Sequence, residues 1–169
     1  TNDIATVTTG SGADTITNTT TAIAAVTKAN INTGGGKDTI TMLTAATATI
    51  DGGTEYDTIN VVGDISGLTI SSVEEMATTG NITSAKASQL NGTTYIMSGA
   101  NTFTFGTAAS NFDSATIDLS KLTINNLTSF TVDTSNGLST TLFTTKDAVT
   151  ILGSSVADTI KGTANADTL

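Results

Sequence analysis

Gly34-Gly35-Gly36-Lys37-Asp38-Thr39-Ile40 is a glycine turn, then one carboxylate, then the first apolar residue of a strand. The same phrase stands at Gly10-Ser11-Gly12-Ala13-Asp14-Thr15-Ile16 and at Gly52-Gly53-Thr54-Glu55-Tyr56-Asp57-Thr58-Ile59. Near the other end it returns as Gly153 to Asp158-Thr159-Ile160 and as Gly162 to Asp167-Thr168-Leu169. Five copies in one phase imply that like residues stack rung upon rung. Hairpins would instead need frequent two-residue turns of the Asn-Gly type. Only Asn91-Gly92 and Asn136-Gly137 qualify. The expected fold is therefore all-β, a parallel β-solenoid with short helical turns.

Composition agrees with strands. Thr fills 40 of the 169 positions, and a β-branched residue is suited to a pleated surface. Aromatic residues are only 4%, so the core is expected to be stacked Ile, Val and Leu, with Phe103, Phe105, Phe112, Phe130 and Phe143 as a possible aromatic column. Mean hydropathy is +0.12, and apolar residues alternate with polar ones, which separates the chain from disordered Ser/Thr/Gly-rich sequence.

The same composition narrows function. There is no His and no Cys, so Ser-His-Asp and Cys-His catalysis, disulfides and thiolate metal sites cannot be built from this chain alone. The expectation is not an enzyme. Fifteen acids face six lysines, for a net charge of −9. That disfavours nucleic acid, which needs a basic footprint, and suits divalent cations. No apolar run approaches the ~18 residues of a membrane span. The chain begins at Thr1 without Met and stops in mid-repeat at Leu169, so it reads as a segment of a larger protein.

Along the chain, residues 1–63 hold three glycine-Asp turns between strands at Ile4–Thr8, Thr15–Thr17, Ala22–Val26, Thr39–Leu43, Ala48–Ile50 and Thr58–Val62. Residues 64–152 read as less regular β-rich rungs. Ser72-Val73-Glu74-Glu75 has the form of a capping box and predicts a helical turn near Met76. Thr83–Leu90 is the best helix candidate, stopped by Asn91-Gly92. Further strands are expected at Thr102–Phe105, Ala115–Leu119, Leu122–Ile124, Ser129–Val132, Ser139–Phe143 and Ala148–Leu152. Residues 153–169 start a second turn block. No linker divides the chain, so 1–169 is read as a single solenoid segment.

The repeated phrase resembles the nonapeptide of RTX proteins, Gly-Gly-x-Gly-x-Asp-x-(apolar)-x. In that repeat glycines permit positive φ and leave carbonyls facing a cation, and the Asp adds the hard anionic oxygen that calcium prefers. The resemblance implies calcium ligands at Asp14, Asp38, Asp57, Asp158 and Asp167, with the turn glycines Gly10, Gly12, Gly34, Gly36, Gly52 and Gly53 shaping the sites. The copies depart from the pattern where Glu55, Val156 and Asn165 replace the later glycine. The step from Asp158 to Asp167 is the nine-residue period, but Asp14 to Asp38 is 24 and Asp38 to Asp57 is 19. A strict roll has 18 per coil, so these rungs are expected to carry insertions.

Two further stretches are similar to the bodies of RTX-type bacterial surface-layer proteins. They are Ile50 through Gly63, and Ile70 through Met76 followed by Thr83 through Gly92. That similarity implies type I secretion and a calcium-dependent structural component of the cell surface. Its partners would be copies of itself in a lattice, and cell-surface polysaccharide through another region. The alternative is a segment of a large RTX adhesin that holds a receptor or glycan. Plainer readings stand beside these: the turn Asp residues as turn caps, Asp51 and Glu55 as solvated acids, and Glu74-Glu75 as capping residues, not a catalytic pair.

Overall fold

The structure, a computed structural model, describes residues 4–18, 28–42, 47–105, 116–119, 121–133, 141–143, 150–152 and 159–161. The chain coils as a parallel β-solenoid. Strands β1 (Ile4–Thr8), β3 (Lys28–Asn32), β5 (Ala48–Asp51) and β7 (Leu68–Ser71) form one sheet in that order. Strands β2 (Thr15–Asn18), β4 (Thr39–Met42), β6 (Thr58–Asp64) and β8 (Glu75–Ser84) run through a second. The second sheet continues through β10 (Thr102–Phe105), β13 (Ser129–Asp133) and β15 (Thr150–Leu152), with β9 (Ile96–Ser98) and β12 (Thr123–Ile124) branching from β8. A third sheet holds β11 (Thr116–Asp118), β14 (Thr141–Phe143) and β16 (Thr159–Lys161).

Register follows from the apolar residues. Ile16 pairs with Ile40, Ile40 with Ile59, Ile59 with Met76, and Met76 with Met97. On the facing sheet, Val7 pairs with Ile31, Ile31 with Ile50, and Ile50 with Ile70. Slipping any strand by one residue would turn its apolar set to solvent. Ile40, Ile50 and Ile59 are fully buried in one core that both sheets share, each worth about 1.5–3 kcal/mol of transfer free energy. Farther along, Phe103 and Phe130 pair in register and stack at 5.3 Å between ring centres. Phe105 is buried; the side chains of Phe112 and Phe143 lie outside the described residues.

The unequal rungs have a simple cause. The corner between the first and second sheets has constant length over three rungs, residues 9–14, 33–38 and 52–57. The return from the second sheet to the first varies: residues 19–27, 43–47 and then 65–67. Of the five extra residues in the 24-residue step, four fall in the return and one in β3, while the glycine-Asp corners stay in register.

Two local expectations are overturned. Residues 75–84 are the long strand β8, not a helical turn after a capping box. Ser72 sits at φ 53, and the Glu74 and Glu75 carboxylates are spent on neighbouring rungs instead of on a helix N-terminus. The helix expected over 83–90 shrinks to one turn, α1 (Ala87–Leu90), because Thr83 and Ser84 remain in β8. The buried Gln89 explains that turn. Its amide donates to the carbonyls of Ile65 (2.6 Å) and Leu68 (2.7 Å), and its oxygen accepts from Lys86 N–H at 2.6 Å. The strand expected at 22–26 lies outside the described residues; the strand observed nearby is β3.

Candidate functional site

The three constant corners stack into one column of turns. Its base is a hydroxyl ladder: Thr9 Oγ1 donates to the Thr33 carbonyl and Thr33 Oγ1 to the Gly52 carbonyl, both at 2.7 Å. Next come Gly10, Gly34 and Gly53. Gly34 and Gly53 have φ of 86° and 93°, and a Cβ on either would run into the carbonyl oxygen of the glycine one rung back. Ser11, Gly35 and Thr54 then bridge in parallel. Glu55, which stands where Gly12 and Gly36 precede it, adopts φ 84. The backbone demand of the turn is kept without the glycine, at roughly 1–2 kcal/mol for a left-handed non-glycine residue. Main-chain bonds zip the tips together: Gly12 N–H to Gly35 O at 2.7 Å, Gly35 to Gly10 at 3.0 Å, Gly36 to Thr54 at 3.2 Å and Thr54 to Gly34 at 3.0 Å.

The column ends in carboxylates. Asp38 Oδ1 accepts the Asp14 amide at 2.7 Å, and Asp57 Oδ1 accepts the Asp38 amide at 2.8 Å. Glu74 Oε2 then accepts the Asp57 amide at 2.8 Å. Each acid therefore caps the residue one rung toward the N-terminus. Asp38 and Asp57 are 2% and 0% exposed, and the second oxygen of each, Oδ2, is buried with no hydrogen-bond partner. Such an atom costs about 1–3 kcal/mol, more when charged. Burial first, then the charges of Asp38, Glu74 and Glu55, push the Asp57 carboxyl above its ordinary range; the Asp38 amide opposes them.

The structure thus brings together Asp14, Asp38 and Asp57 with Gly10, Gly12, Gly34, Gly36, Gly52 and Gly53. Asp158 and Asp167 lie outside the described residues. Asp51 accepts the Gly53 amide at 3.2 Å, a turn-cap role, and Glu55 is exposed at the turn tip. Glu74 was missed as a member of the ladder. Its signal was in the sequence: Glu74-Glu75-Met76 repeats carboxylate-x-apolar in the phase of Asp57-Thr58-Ile59, without the glycines.

The donor set is all oxygen, as a hard cation such as calcium requires. The unpartnered Oδ2 atoms of Asp38 and Asp57 are carboxyl oxygens of that kind, and the Ser72 carbonyl and Asp57 Oδ2 both lie close to Gly52. Among the described residues no three acidic side chains converge on a single point, since the ladder spreads them one per rung. A bound cation would draw its remaining ligands from main-chain carbonyls and water. The residues fit calcium on these terms.

Elsewhere, hydrogen bonds hold other titratable groups. Burial opposes ionisation of Asp64, but hydrogen bonds from Ser66 and Ser84 and the charge of Lys86 keep it below its ordinary range. Burial chiefly, with the Glu74 charge, pushes Tyr95 up to about 12. No helix among the described residues is long and apolar enough to cross a membrane. No protein-family model matches the chain, and no curated protein or solved structure matches it either.

Proposed function

We propose that this chain is a calcium-binding structural segment of a secreted bacterial surface layer, a solenoid that packs against copies of itself. The observation that carries the reading is the carboxylate ladder. Two wholly buried aspartates, each with an unpartnered oxygen, stand at glycine corners of fixed length. A stack of like charges at rung spacing is unfavourable until a cation, or a proton, neutralises it. Calcium would supply that neutralisation and tie successive rungs together, so that folding is linked to binding. The chain's own residues do the rest: Thr9 and Thr33 fix the corner, the glycines admit the close backbone approach, and the aspartates present oxygen.

The outward positions of the first sheet also favour self-packing. Thr6, Asn30, Thr49 and Thr69 are exposed and in register. They make a row of uncharged polar side chains along which another copy can pack. Modules of this kind bind calcium at ~10⁻⁴–10⁻³ M, so the folded, assembling state belongs outside the cell.

The test is assembly of the purified chain. Adding millimolar calcium should convert it from monomers to ordered sheets or rods in electron micrographs, and chelation should reverse this. A chain that stays monomeric at every calcium level, while binding a glycan, would replace this reading with the adhesin one.

A further inference from the structure

We propose that the third corner holds a divalent-cation seat closed by Glu74 and the Ser72 carbonyl, a seat the glycine-Asp phrase does not encode. This rests on the calcium reading and adds to it a ligand from outside the repeat. Asp57 Oδ1 is committed to the Asp38 amide, and Oδ2 is buried without a partner. That free oxygen faces the α-carbon of Gly52. A Cβ built on Gly52 would lie 2.7 Å from Asp57 Oδ2 and against the carbonyl oxygen of Ser72. The two oxygens, one from the third rung and one from the fourth, therefore both close on the Gly52 α-carbon, where only a glycine fits.

Glu74 brings the second charge. Its Oε2 is 2.8 Å from the Asp57 amide, which places its carboxylate at the same corner. The fourth corner is only Ser72–Glu74, three residues where the others have six. It has no glycine, and Ser72 itself takes φ 53. The longer side chain of Glu spans what a shortened corner leaves open. Two carboxylates and a carbonyl from adjacent rungs are the start of a hard-cation shell. A cation there would fasten the third glycine corner to β8.

The chain has two tyrosines and no tryptophan, and both tyrosines lie at this corner. Tyr56 precedes Asp57 and donates to Glu75 at 3.1 Å. Tyr95 precedes Ile96, whose N–H donates to the Glu74 carbonyl at 2.8 Å. Terbium, a calcium-like lanthanide, emits through tyrosine excitation when bound close by. The full chain should show this emission, and calcium should compete it away. Glu74→Gln keeps an oxygen for the Asp57 amide but removes the charge, and should weaken the sensitised site about tenfold or more. Asp57→Asn, which likewise keeps its amide acceptor, should do the same, while Asp64→Asn, outside the ladder, leaves that site unchanged. If Glu74→Gln binds as the parent does, Glu74 is a cap only and the inference falls, with the calcium reading intact. If the parent gives neither terbium emission nor a calorimetric response to calcium, both fall together.

Discussion

Asp57 is the residue on which opposing effects can be separated. Without a cation its carboxyl is raised by burial and by its acidic neighbours, so the folded state favours the protonated form. A group of this sign contributes stability fully below its unfolded pKa of about 3.9. That contribution is lost as pH rises through the folded value. The metal-free chain should therefore gain stability as pH falls through the raised folded value toward the unfolded one. Asp64 does not mask this. Its pKa is lowered, so its contribution is present above the unfolded value and fades only in stronger acid. Asp57→Asn removes the buried charge and keeps the Asp38 amide bonded. In chelator at pH 7 it should be more stable than the parent by about 1–3 kcal/mol, and should show a flatter pH slope. In millimolar calcium the order should reverse. Urea midpoints under the four conditions check this. Equal slopes for parent and variant would mean that the Asp57 carboxyl titrates as an ordinary surface acid.

At the scale of elements, corner length separates what the sequence made legible from what it hid. Strands β4 and β6 are readable because apolar alternation and the Asp-Thr-Ile phase agree, and β5 and β10 from alternation alone. The parallel stacking was readable because the phrase repeats. Strand β8 was not, since Ser-x-x-Glu is a local helix signal and the pairing with β6 that overrides it is not local. The helix was overextended for the same reason. The ladder was readable at three aspartates, where glycine marks the turn, and hidden at Glu74, where it does not. The unpartnered Oδ2 atoms depend on burial, which no spacing reveals. A test of corner constancy follows. Two glycines inserted between Ala45 and Ala46, in the return whose length varies from rung to rung, should cost little, since loop-closure entropy grows slowly with length. The same insertion between Gly35 and Gly36 breaks the main-chain zipper and moves Asp38 out of line with Asp14 and Asp57. It should cost several kcal/mol, on the scale of the bonds in that rung. Thermal midpoints of the two insertion variants measure the difference; equal losses would mean that the glycine corner holds no special register.

For the whole molecule the decisive property is that each rung touches only its neighbours. In such a stack, stability is close to a sum of rung terms and nearest-neighbour interfaces. A ligand that binds one corner then strengthens the adjoining rungs and little else. The ladder joins rungs one to four, ending at Glu74. Beyond it the second sheet is held by different means, among them the stacked Phe103 and Phe130 and the Asn101 amide donating to the Thr78 carbonyl at 2.8 Å. Calcium at the glycine corners should therefore raise hydrogen-exchange protection in β2, β4, β6 and the start of β8. The amides of β10 and β13 should change far less. A single global transition would behave otherwise, raising protection evenly because every exchange event would pass through the same unfolded state. Hydrogen exchange with and without calcium distinguishes the two. A graded response, strongest at Thr39–Ile40 and Thr58–Ile59 and fading toward Phe130, fits a ladder that neutralises its charges locally. An even rise across the second sheet would show that its rungs do not open independently, and that the cation acts on the fold as a whole.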